Sequence, residues 1–186
     1  MTRVAVPLTF VFFLHMMTFY FLMKWIPKVV ADMGHATSDA GFVLVWANVG
    51  GVLGCIALSL LTQLLTVRML VIGALVCGSS MVYLFGHATK NLTYLSLAAT
   101  TAGFFTTGAS AGLYAIFAHA FPTHLRASGT GLVIGFGRGG AALGPICAGL
   151  MFAMGWPLHW VAPVLACGSL IAAVILARTS PRAAWA

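Results

Sequence analysis

His119-Ala120-Phe121-Pro122-Thr123-His124-Leu125-Arg126-Ala127-Ser128-Gly129-Thr130-Gly131 is the stretch on which the reading of the fold turns. It breaks two long apolar runs, Leu92–Ala118 before it and Ser128–Met154 after it. Each run exceeds the ~20 residues that an α-helix needs to cross a hydrocarbon core of ~30 Å. A link this short leaves two such helices as antiparallel neighbours.

The same alternation continues in both directions. Towards the N-terminus lie apolar runs at Val4–Val30, Ala40–Leu61 and Met69–Phe85; towards the C-terminus lies Leu158–Ala177. The polar breaks are Asp32–Asp39, Gln63–Arg68, Gly86–Asn91, His119–Ala127 and Gly155–Pro157. The expectation is one all-α membrane domain over residues 1–186, with six transmembrane helices and a lipid bilayer as its solvent. Composition points the same way. Of 186 residues, 61% are hydrophobic and 6% charged, against about a quarter charged in soluble domains. The net charge of +7 comes from scattered Lys and Arg rather than a basic run with interleaved aromatics, which argues against nucleic acid as a partner.

Six spans put both termini on one side. Arg3, Arg68, Arg126, Arg178 and Arg182 fall on that side; Lys24, Lys28, Lys90 and both acids, Asp32 and Asp39, fall on the other. The positive-inside rule makes the arginine side cytoplasmic. Tyr20, Trp25, Trp156 and Trp160 read as interfacial anchors at the outer ends. Cys55, Cys77, Cys147 and Cys167 lie in apolar stretches without metal-ligand spacing and read as small buried thiols. Asn91-Leu92-Thr93 matches a glycosylation acceptor by chance.

Arg138 carries the most information. It sits in Gly135-Phe136-Gly137-Arg138-Gly139-Gly140, about 15 Å into the fifth span at ~1.5 Å per residue. A charge at that depth costs about 2.5–3.5 kcal/mol on insertion scales, and no acid lies at membrane depth to pair with it. It therefore reads as a cavity cation binding a small carboxylate, with snorkelling or backbone pairing as the plainer reading. His15, at mid-depth in the first span, reads equally as a proton carrier or substrate contact and as a neutral packing residue. Thr100, Gly103, Thr107, Ser110 and Tyr114 recur at intervals of 3 and 4 on one helical face, which lines a cavity or glues helices together. Asn48 is a polar candidate of the same kind. Pro145 should bend the fifth span beside Arg138. Catalytic constellations, cofactor motifs and metal sites are absent from the sequence, so an enzyme is not expected.

The break quoted first resembles the loop between helices 10 and 11 of major facilitator superfamily transporters, a Phe/Tyr-Pro-Thr-x-x-Arg-x-x-Gly-x-Gly pattern matched by Pro122, Thr123, Arg126, Gly129 and Gly131. Gly135–Gly140 with Leu143-Gly144-Pro145 looks like helix 11 of the aromatic-acid/proton symporter branch, and Tyr20-Phe21 with Trp25-Ile26-Pro27 is similar to its helix 7. The resemblance implies helices 7–12, the C-terminal half of a twelve-helix carrier in a bacterial inner membrane. That half would move small aromatic acids with protons, together with a missing N-terminal half or a second copy. Arg126 would be the loop arginine and Arg138 the cavity arginine. The chain departs from the pattern in two places: Ser59–Gln63 lacks the Gly-x-x-x-Asp-Arg signature, with Arg68 retained, and His119 replaces an acid. The alternative expectation is a non-transporting membrane interaction protein or a decayed carrier fragment.

Overall fold

The computed structural model describes residues 2–88 and 90–179. Among them seven α-helices follow one another: α1 (Thr2–Asp32), α2 (Thr37–Leu61), α3 (Val67–Gly86), α4 (Leu92–Ala120), α5 (Arg126–Gly137), α6 (Gly139–Ala153) and α7 (Leu158–Arg178). A single 3₁₀ turn, Thr123–Leu125, precedes α5. Strands are absent among the described residues. The expected fifth span is two helices, α5 and α6, interrupted at Arg138.

Among the described residues, five segments are long and apolar enough to cross a membrane, counting Thr123–Ala153 as one. The sequence reading expects six. The difference is α4, whose 29 residues exceed the required length but include many Gly, Ser and Thr. Twelve of its residues are buried, against six in α2. A helix screened by its neighbours can be less apolar than one facing lipid. Conversely, α2 exposes Phe42, Val45, Trp46, Val49, Val52, Leu53 and Ile56. The structure also corrects the reading of the thiols as buried: Cys77 and Cys167 are exposed, and Cys55 and Cys147 half-buried.

The helices run up and down, and contacts at the two ends of the bundle establish it. One apolar cluster joins the late residues Ile26 and Val29 of α1, Phe85 of α3 and Ala148 of α6 to the early residues Ala40 of α2, Leu95 of α4 and Val161 of α7. The other joins the early residues Val4 and Leu8 of α1, Val71 of α3 and Val133 of α5 to the late Leu113 and Phe117 of α4 and Leu176 of α7. Short caps punctuate the turns. Asn91 accepts from the amides of Thr93 and Tyr94 at the start of α4, which accounts for its sequence context. Arg68, entering α3, donates through Nη2 to the carbonyls of Leu176 (2.8 Å), Ala177 (3.0 Å) and Thr179. It thereby caps the C-terminus of α7, where a cation is favoured. Of the cations used to orient the chain, Arg182 and the Arg3 side chain lie outside the described residues.

Side-chain-free contacts set the tightest helix pair. A Cβ added at Gly50 or Gly54 of α2 would collide with the carbonyls of Thr100 or Phe104 of α4, and one at Gly103 with that of Ala47. Small-xxx-small spacing here brings two backbones together.

Candidate functional site

Polar side chains at mid-bundle fall into two groups. The first is a closed layer. The residues buried as polar groups are His15, Thr18, Ser79, Thr106, Ser110 and Ser169. Along their helices, Thr18, Ser79, Thr106 and Ser169 each fall between the two apolar clusters, with His15 and Ser110 adjoining. Almost every polar atom here has a protein partner. His15 Nδ1 lies 3.0 Å from Ser169 Oγ, and its Nε2 lies 3.1 Å from the Thr106 carbonyl and 3.0 Å from Ser110 Oγ. Ser110 donates to the same Thr106 carbonyl at 3.1 Å. The Thr18 hydroxyl donates to Leu165 O at 2.6 Å and accepts from Ser169 N–H at 3.1 Å, so it sits between two backbone groups that would otherwise face each other in α7. Ser79 donates to Ala166 O at 2.7 Å.

The second group is open. Arg138 is exposed, with Tyr114 and Tyr20 as its electrostatic neighbours. Its place follows from local sequence. Glycines on both sides weaken the helix, each by up to ~1 kcal/mol relative to Ala. The chain tightens there: Arg138 N–H keeps its bond to Ile134 O at 2.9 Å, while Ala141 N–H reaches back only three residues, to Arg138 O, also at 2.9 Å. A 3₁₀ step in mid-helix often marks a hinge. Pro145, the expected bend, lies within α6, seven residues beyond the interruption. Two of the glycines also admit α1: a Cβ at Gly137 would collide with the Phe12 ring, and one at Gly140 with the Phe13 carbonyl. Phe12 in turn meets Tyr114 edge-on, with ring centroids 5.4 Å apart. The exposed Tyr114 and the half-buried Tyr20 give this face an aromatic surround. Arg138 does not line the cleft of about 590 Å³ near Arg68 between α1, α3, α4 and α7.

The structure therefore brings Arg138 and Tyr114 together and places His15 and Ser110 in the closed layer behind them. Thr107 packs towards α2, where a Cβ at Gly51 would meet its Oγ1 at 2.6 Å. Asn48 is exposed on α2, its amide donating to Leu44 O of its own helix at 2.8 Å. The Thr100–Tyr114 stripe thus serves three neighbours in succession: α2, His15 and Arg138. Tyr20, read from the sequence as an interfacial anchor, is half-buried near Arg138. Trp25 likewise turns inward, donating to Pro145 O at 3.2 Å and stacking on Phe152 at 4.6 Å. Sequence reading missed Tyr20, Thr18 and Ser169, whose roles depend on which helices meet.

In the loop motif, Leu125 N–H bonds to Pro122 O at 2.9 Å, closing the turn that includes Thr123. Gly129 leaves room for the buried Phe121 ring, and Gly131 faces open space. Arg126 is the exposed first residue of α5, where a cation opposes the helix dipole.

An antiparallel bundle of membrane-length apolar helices defines an integral multi-pass membrane protein. The chain belongs to the Major Facilitator Superfamily, whose family model matches residues 8–186. It is 30% identical over 87% of its length to a 3-(3-hydroxy-phenyl)propionate transporter of Escherichia coli, covering 40% of that protein. It is 25% identical over 88% of its length to a 4-hydroxybenzoate transporter of Pseudomonas putida, covering 36% of it. It is 30% identical over 78% of its length to a benzoate transport protein of Acinetobacter baylyi, covering 31% of it. The chain thus spans about a third to two fifths of the relatives it matches.

Proposed function

We propose that this chain forms the C-terminal half of a proton-coupled carrier for small aromatic acids, with six spans, both ends cytoplasmic, in a bacterial inner membrane. The observation that carries the reading is Arg138, an exposed guanidinium at mid-span beside two phenols, Tyr114 and Tyr20. A guanidinium accepts a carboxylate in bidentate fashion, and the aromatic surround suits a substrate ring. The names of the relatives support the same substrate class.

In this reading the Arg138 face is one wall of a midplane site, and a six-helix N-terminal half or a second copy supplies the other. The described spans hold no acid at membrane depth, since Asp32 ends α1 and Asp39 lies in the first turn of α2. The proton would then be carried by the opposing half. The test is uptake of labelled benzoate and hydroxybenzoates into proteoliposomes holding this chain with an N-terminal half, with and without a proton gradient. Gradient-driven uptake that falls roughly 10- to 100-fold in Arg138→Ala, with membrane insertion intact, supports the reading. Normal uptake by that variant overturns the assignment of Arg138.

A further inference from the structure

The partners of His15 determine its tautomer. The Thr106 carbonyl, 3.1 Å from Nε2, can only accept, so Nε2 carries the ring hydrogen. Ser110, 3.0 Å from Nε2, spends its own hydrogen on that same carbonyl. Nδ1 is then a lone pair, and the Ser169 hydroxyl donates to it across 3.0 Å. One ring ties α1 to α4 on one edge and to α7 on the other. Thr18, three residues along α1, repeats the tie to α7 through Leu165 O and Ser169 N–H.

The tie has a direct neighbour in the open site. On α1, Phe12 lies one turn before His15; on α4, Tyr114 lies one turn after Ser110. The helices are antiparallel, so fixing His15 to Ser110 fixes Phe12 to Tyr114, and these rings do meet edge-on. Tyr114 is in turn the first neighbour of Arg138. His15 itself is 1% exposed, with both ring nitrogens engaged by protein, so it has no free edge to offer a substrate.

We infer that His15 is a positioning residue: as the Nε2–H tautomer it locks α1 to α4 and α7 at mid-span and thereby sets the register that presents Tyr114 to Arg138. The kinetic part of this inference rests on the carrier reading above; the tautomer and the lock do not.

Two arms test it. In the first, histidine-¹⁵N-labelled chain in nanodiscs is examined by NMR, with His15→Gln identifying the signal. The expected result is a slowly exchanging Nε2–H that shifts in Ser110→Ala, and a bare Nδ1 that shifts in Ser169→Ala. An Nδ1–H tautomer, or a ring hydrogen exchanging freely with water, overturns the lock. In the second arm, uptake is compared for His15→Phe, Tyr114→Phe and the pair. If His15 acts through Tyr114, each single change lowers kcat/KM about tenfold and the double change no further, because coupled residues are not additive. His15→Gln, which retains an amide donor, should recover most of the loss. Losses that multiply in the double variant, with KM rising in His15→Phe alone, make His15 a substrate contact and overturn the inference. If wild-type protein transports no carboxylate, the carrier reading fails, while the NMR arm still decides the lock.

Discussion

The His15 layer and the Arg138 face occupy similar depths in the bundle and treat polarity in opposite ways. In the layer, a histidine, two threonines and three serines are buried among themselves and backbone carbonyls. At the face, a full charge is exposed with two phenols for company. Unpaired polar groups are costly in a hydrocarbon environment. A closed polar layer is therefore an answer to that cost, whereas an open charge is a cost left standing. On the function proposed above, the contrast separates residues that hold the bundle together from residues offered to a substrate.

His15→Phe orphans acceptors and donors on two helices and should destabilise the chain by about 2–3 kcal/mol, read as a fall in the unfolding midpoint in detergent. Arg138→Ala should do the reverse of that pattern. Its stability should change by no more than about 0.5 kcal/mol, as for surface positions, while acid uptake falls roughly 10- to 100-fold, the worth of a charge-assisted hydrogen bond. A large stability loss in Arg138→Ala would erase the distinction. Thr18→Val removes one buried bridge and should cost about 1 kcal/mol, in the range measured for hydrogen bonds between membrane helices. Arg68→Met uncaps α7 and should cost about 0.3–1 kcal/mol, seen as faster amide exchange near Leu176. Asn48→Ala should alter neither stability nor uptake measurably, because its amide only serves its own helix.

The helices were legible because their apolar runs are long and the breaks between them short. Helix α1 spans Thr2–Asp32 where the apolar run suggests Val4–Val30, and α7 spans Leu158–Arg178 where it suggests Leu158–Ala177. The interruption at Arg138 is not announced by the sequence pattern, in which Gly135, Gly139, Gly140 and Gly144 read first as packing positions; it lies seven residues before Pro145, where a bend is expected. Arg138 stood out because a charge in an apolar run needs no partner to be noticed. His15 did not declare its role, since the same residue at the same depth suits a proton carrier or a packing group. Its partners Thr106, Ser110 and Ser169 lie at least 91 residues away in sequence, on helices whose adjacency no local pattern encodes. Tyr20 is legible only in part for a related reason: an aromatic residue towards a span end resembles an interfacial anchor until its neighbour Arg138 is known.

The glycine contacts between α2 and α4 have a consequence for biosynthesis. These two helices are not consecutive, so on the two-stage picture of membrane folding Gly50 and Gly54 have no α4 backbone to meet until α3 and α4 have been synthesised. Only then can Gly103 meet Ala47 and the two backbones close on each other. The bundle is thus built in two stages, insertion first and lateral assembly second, and its tightest joint is made late, by a helix whose own surface is the least suited to lipid.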